Sequence, residues 1–421
     1  MRQKFSFIGS LVLSLYTAGC TSTQPVEMTL DMSMDLASSA DMAVAPDLSD
    51  PPDLTTLPPD LTPSCGFGQA FSNGSCACDA NHVQACGGAP APGYCCAATQ
   101  QCLVAAGPRG ETRCSGAPKR RYFAMAYHPG LDRTLLRGGI CVNGSGGDVL
   151  CADQSEHGPQ TWNEQNVPNS PGARYGASAI YDGNANNILV FGGIFNFLNN
   201  QAAVSNDMYT WDGTTWSKKT PALLPSARTL HAMAYDPARK VDVLFGGTDA
   251  ASISQSDTWE WNGTTWLKRS LATNPVEREG HSMVYDLKNA RTLMFGGFKF
   301  PNYLREVWVY AGSDWQRLTG SENAAMPVRA YQAMAYDANR NVTVLFGGET
   351  TGSVALSDTW EFDGTTWTKK APATIPTERA GAAMVYDAGR KQVLLFGGLK
   401  PGVGMFSDLW AWDGTNWKML Y

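Results

Sequence analysis

Six arginines, Arg120, Arg174, Arg228, Arg278, Arg329 and Arg379, recur at steps of 54, 54, 50, 51 and 50 residues. A guanidinium is a rigid fork of N–H donors that grips a carboxylate or phosphate bidentately, so six on one period suit recognition of an anionic ligand. The same period sets down carboxylates at Asp207, Asp257, Glu306, Asp358 and Asp408. Ion pairs inside each repeat therefore compete with a ligand for the same donors.

Two further stretches are aromatic enough to bind something: Ile194-Phe195-Asn196-Phe197-Leu198 and Phe298-Lys299-Phe300-Pro301-Asn302-Tyr303. If exposed, Phe195, Phe197, Phe298, Phe300 and Tyr303 mark a contact surface; if folded down, they form a satellite cluster over the core. His231 and His281 occupy one repeat position, where other copies carry Phe123, Ala177, Gln332 and Ala382. Recurrence among apolar and amide residues reads as packing, and no metal site or cofactor is expected. Asp212, Asp363 and Asp413 read as turn residues. No G-x-S-x-G elbow, metalloprotease helix or phosphate loop occurs, so no catalytic residue is assigned.

The elements that position these residues follow from one unit, RAYQAMAYDANRNVTVLFGGETTGSVALSDTWEFDGTTW, Arg329 to Trp367. AYQAMAY and VTVLF are β-rich runs joined by an Asp/Asn turn. Gly347-Gly348 ends the second run where the backbone must turn sharply. Two more runs flank Asp363-Gly364, a dipeptide of primed hairpin turns. Each unit thus predicts four antiparallel strands, a to d, with the arginine opening strand a. The arginines, the Gly-Gly pairs and the closing tryptophans Trp162, Trp216, Trp266, Trp315, Trp367 and Trp417 keep one period of about 50 across six copies.

This unit resembles the kelch repeat, which is also the propeller unit of galactose-oxidase-like proteins. The resemblance implies an all-β, six-bladed kelch-type β-propeller over residues 118–421, one blade per repeat. Because each copy supplies all four strands, closure need not borrow a strand. Strand a of a propeller lies nearest the axis, so the arginines would ring the channel mouth, where kelch proteins hold acidic peptides with such residues. Two strand spacings, about 10 Å, would separate each arginine from its acid, so intra-blade ion pairs are the first expectation. The b–c loops and inter-blade links share one face and are the long ones, which puts binding there.

Upstream, Arg2 and Lys4 precede an apolar run from Phe5 to Ala18, a signal-peptide layout over residues 1–19. Thr17-Ala18-Gly19-Cys20 resembles the bacterial lipoprotein box, which implies lipidation of Cys20 and attachment to the outer membrane or cell surface; plain secretion is the alternative. Residues 20–63 repeat Pro-Asp-Leu and carry little apolar bulk, predicting a disordered tether. Residues 64–117 hold Cys65, Cys76, Cys78, Cys86, Cys95, Cys96, Cys102 and Cys114, a disulfide module of unassigned pairing. Cys141, after the first Gly-Gly, and Cys151, placed in the third strand, are expected to pair. Gln154 to Gln160 reads as an insertion in the first repeat.

A net charge of −6 and the lack of a basic stripe argue against a nucleic-acid partner. The resulting expectation is a non-catalytic, envelope-anchored protein that binds a protein or glycan through the long-loop face. A propeller hydrolase, lyase or oxidase with its site at the channel mouth is the alternative.

Overall fold

The computed structural model describes residues 117–420, apart from 144–145, 159–161, 166, 199–200 and 322. It also describes the backbone of four short strands upstream, Gln69–Ser72, Ser75–Cys78, Cys102–Leu103 and Arg113–Cys114. The expected signal peptide, Cys20, the tether, and Cys65, Cys86, Cys95 and Cys96 lie outside these residues. In the module, Cys102 and Cys114 are register partners of one antiparallel pair.

Every regular element among the described residues is a β-strand. Six four-stranded antiparallel sheets follow one another, each built from consecutive segments in the order a-b-c-d. In blade 5 these are Ala333–Asp337, Val342–Phe346, Thr359–Phe362 and Trp367–Lys369. The strands a of successive blades lie side by side, and that of blade 6, Ala383–Asp387, returns beside Ala124–His128 of blade 1. The sheets are thus the blades of a closed propeller with strand a innermost.

The pattern of each strand follows its depth. Strand b, such as VTVLF or QVLLF, is buried at four of five positions because neighbouring blades cover both faces. Strand d keeps only its opening tryptophan buried and exposes Lys, Thr or Ser beyond it. That tryptophan reaches the preceding blade: Trp315 Nε1 donates to Thr258 Oγ1 and Trp417 Nε1 to Thr359 Oγ1, both at 2.9 Å. Asp212, Asp363 and Asp413 cap the c–d turns, each Oδ1 accepting two backbone N–H groups.

The Gly-Gly pairs explain how blades abut. Both glycines of every pair have positive φ, and a Cβ on the first would stand 2.5 to 2.8 Å from the carbonyl oxygen of the next blade's arginine. The second glycine donates its N–H to that same carbonyl at 2.7 to 2.9 Å in all six seams. The seam between blades 6 and 1 uses the same bond, Gly398 N–H to Arg120 O. It also buries Phe123, Met125, Leu136 and Trp162 against Leu394, Phe396 and Leu409. No strand is exchanged, since the last strand, Trp417–Met419, belongs to blade 6.

Two sequence expectations need correction. Each arginine stands four residues before strand a rather than opening it. The residue two positions on has positive φ, which kinks the chain between the two. In blade 1, Gln154–His157 is strand c and not an insertion; Cys151 precedes it. The b–c connection of that blade is a hairpin as in blade 2, here Ile140–Val142 with Asp148–Leu150, pinned by the Cys141–Cys151 disulfide.

Candidate functional site: the channel mouth

The six arginines are almost fully buried, Arg174 being the most exposed at 5%. In every blade Nη1 donates to the carbonyl oxygen of the first glycine, 18 residues on, at 2.9 to 3.0 Å. The rest of the fork takes a carboxylate at the start of strand c. Arg228 is bidentate to Asp257, Arg329 to Asp358 and Arg379 to Asp408. Arg278 meets Glu306 at 2.8 Å, whereas Arg174 and Asp207 are 3.8 Å apart, with Lys218 nearer to that acid. In blade 1 the partner is Asp153, which stands 33 residues after its arginine, as Asp207 does in blade 2, and which the sequence reading did not name.

The tryptophan two residues after the acid donates to it as well, in Trp259–Asp257, Trp308–Glu306, Trp360–Asp358 and Trp410–Asp408. Burial alone would raise the carboxyls of Asp257 and Asp358, but the arginine and tryptophan bonds hold both below their ordinary value. A ligand-reading arginine ring is therefore not what the side chains form. Except in Arg174, whose acid lies 3.8 Å away, the fork is engaged by the blade's own carbonyl and carboxylate, and the residues that line the axial cavity come two and three positions later.

Those positions build the mouth. Tyr122, Gly176, Leu230, Gly280, Tyr331 and Gly381 face one another around the axis, joined by a closed cycle of six backbone hydrogen bonds of 2.7 to 2.9 Å. Large and small residues alternate because each large side chain fills the space over the preceding blade's glycine. A Cβ on Gly280 would lie 2.5 Å from Tyr331, and one on Gly381 2.7 Å from Tyr122. One layer in, Phe123, Ala177, His231, His281, Gln332 and Ala382 complete a cavity of about 170 Å³. His231 packs edge-on against Phe191 and His281 against Phe245, as Phe123 does against Phe396, which accords with a packing role. Burial pushes both imidazoles down, His281 to about 3, so both are neutral.

The b–c hairpins stand around this mouth, each bridged to the residue after its blade's arginine, as in Glu279 with Phe298 and Ala330 with Glu349. Tyr331 Oη donates to Glu279 at 2.9 Å, and Tyr303 Oη, from the blade 4 hairpin, to Glu349 of blade 5 at 2.6 Å. Tyr122 packs on Tyr331 and Tyr175, with ring centroids 5.5 and 6.4 Å apart. Burial and then the bond to Glu349 push Tyr303 up to about 12. Burial followed by the charge of Glu279 raises Tyr331 further, and burial followed by Glu349 raises Tyr122. These phenols are neutral donors, unsuited to act as bases or nucleophiles at neutral pH.

Of the aromatic candidates, Phe300 is 71% and Phe195 47% exposed, while Phe298 and Tyr303 are half-buried and pack on each other at a tilt. The backbone of Phe197 lies in the blade 2 hairpin strand, Ile194–Leu198; its side chain is outside the described residues. Sequence reasoning missed the Tyr–Glu pairs. Their members come from different blades at positions that vary between repeats, so no periodic signal marks them.

A second concavity, of about 430 Å³, opens at the short-turn end of the axis, ringed by Tyr127, Tyr181, Tyr235, Tyr285, Tyr336 and Tyr386. No helix among the described residues is long and apolar enough to cross a membrane.

The profile of the KLHDC2/KLHL20/DRC7 Kelch-repeats domain matches residues 124–311 and 199–368. A solved structure described as "Structure of YjhT" resembles the chain with a TM-score of 0.55 and 13% identity, over 72% of this chain and 98% of that one. That is a likeness of fold. No curated protein matches.

Proposed function

The chain belongs to the Kelch-repeat family, and from that premise we propose that its propeller is a non-catalytic binding module that takes a protein or glycan on the hairpin face. One observation carries the reading: apolar rings are displayed on the b–c hairpins around a tyrosine-lined mouth, Phe300 and Phe195 most of all. A monomer gains nothing in stability from an exposed phenylalanine, whereas a partner covering it removes apolar area from water. Lipid attachment at Cys20 would hold this face at the cell envelope, and incorporation of radiolabelled palmitate that disappears in Cys20→Ser tests it.

The enzyme reading has one observation in its favour, two carboxylates and several phenols gathered at the mouth. The raised phenols weigh against it, because an activated nucleophile or base needs the opposite shift.

The deciding experiment is a screen of the full chain against glycan and peptide arrays beside a Phe195→Ala/Phe300→Ala variant. Binding that falls at least tenfold in a folded variant supports the proposal. Binding that ignores both phenylalanines, or conversion of a bound glycan to product, overturns it.

A further inference from the structure

Most of the polar groups left over at the mouth are acceptors. Glu279 accepts bonds from Tyr331 and Thr248, and Glu349 from Tyr303. Among the described residues, no lysine or arginine pairs with either glutamate, although acids nearby on the same face are neutralised: Glu277 by Lys299, Glu378 by Lys400 and Asp148 by Arg121. In the cavity behind, both nitrogens of His231 and Oε1 of Gln332 have no hydrogen-bond partner, and those residues are only 5% and 4% exposed. A buried acceptor without a donor is costly and invites one. Two uncompensated carboxylates, a neutral imidazole and an amide oxygen ask for a group that carries positive charge and several N–H donors.

The aromatic rings ask for the same group. Tyr122, Tyr175 and Tyr331 cluster beside the carboxylates, and aromatic rings attract cations. The chain already does this with its own Arg121, whose guanidinium lies 5.6 Å from the Tyr122 ring centroid while Asp148 holds it. An anionic ligand fits poorly, since the buried arginines are spent inside the blades. A metal ion fits poorly too. The one group of potential ligands close enough to share an ion among the described residues is Cys141, Cys151 and Asp153, and its cysteines form the disulfide.

The geometry points to a lysine or arginine side chain of a basic polypeptide segment as the ligand of the mouth. Its ammonium or guanidinium group would rest on the cluster of Tyr122, Tyr175 and Tyr331, with Glu279 and Glu349 as counter-charges and His231 and Gln332 as acceptors in the cavity behind. This rests on the binding reading above and names its ligand. Phe298 and Phe300, on the hairpin beside Glu279, supply an apolar rest for the residues flanking the basic one. That favours a polypeptide over an amino sugar.

The test is calorimetric titration of the full chain with short peptides carrying a central arginine, lysine, acetyl-lysine or glutamine, and with a glucosamine oligomer. Arginine and lysine peptides should bind, weakening several-fold as salt rises, with the acetyl-lysine and glutamine peptides at least tenfold weaker. Glu279→Gln/Glu349→Gln should lose tenfold or more. A second variant, His231→Phe, borrows the residue blade 1 uses at that position and should lose a few-fold while keeping its fold, as read by near-ultraviolet circular dichroism. Equal binding of the glutamine peptide, an unaffected double variant, or binding of the glucosamine oligomer alone would overturn the proposal. If basic peptides fail but an array ligand still depends on Phe300, only the cation proposal falls; if no array ligand binds either, the broader reading falls with it.

Discussion

The carbonyl oxygen of Arg278 lies where a side chain on Gly246 would have to begin, 2.7 Å from an ideal Cβ. Gly246 also has a φ of 66°, in the left-handed region. Gly402 shares the backbone conformation at 76°, with nothing within 4 Å of its Cβ position. Gly402→Ala should cost about 1–2 kcal/mol for the strain alone. Gly246→Ala should cost clearly more, because the seam must also open. Chemical denaturation of the two variants compares them, and equal losses would contradict the close approach.

Arg329→Ala removes a fully buried cation from its largely buried carboxylate, leaving Asp358 with only the Trp360 bond and the Gly347 carbonyl without the guanidinium donor. Loss of one member of such a pair costs about 3–5 kcal/mol. Arg174→Ala should cost less, since its acid is 3.8 Å away and already held by Lys218. Thermal midpoints of the two variants give the order.

Asp242 is 1% exposed, and neither of its carboxyl oxygens has a partner among the described residues. Burial, then the charge of Asp182, raises its pKa well above the ordinary value. An unfolded aspartate ionises near pH 3.9. The folded state therefore keeps a proton that the unfolded state has lost, and stability falls as pH climbs from the unfolded value toward the folded one. Blades 1, 4 and 5 place Thr134, Thr292 and Thr343 at this position. Asp242→Thr should raise stability at neutral pH by about 1–3 kcal/mol and flatten the decline on its acid side. A variant with the wild-type slope would mean that another group titrates.

The phenols at the mouth should ionise late. Tyr303 should titrate near 12, with Tyr331 and Tyr122 beyond it. An unfolded tyrosine ionises near 10, so the folded chain holds these protons longer and loses stability as pH rises past that value. Phenolate absorbance should lag behind a denatured sample, and Tyr331→Phe should remove part of the lag.

The repeat was legible because its constraints are local and recur: arginine, two glycines and tryptophan each solve one packing problem, and six seams pose it six times. The arginine–carboxylate pairing could be read from spacing, since both partners keep step. What could not be read depends on exceptions. In blades 1 and 2 a longer b–c connection sets the acid, Asp153 or Asp207, 33 residues after its arginine rather than 28 or 29, and delays strand c accordingly. The mouth is built where the copies differ, with Tyr122, Leu230 and Tyr331 alternating with glycines, and Glu279 and Glu349 borrowed from neighbouring blades. Such a site exists only once the ring has closed and brought together residues far apart in the chain.

That closure involves no shared strand, and Ala117 and Leu420 pack into one apolar cluster at the junction of the last blade with the first. The two ends of the propeller's chain thus meet at a seam bonded like the other five. Topologically the ring has no privileged cut: a short linker across that junction would let the chain be opened between any two blades, so circular permutants should form the same propeller.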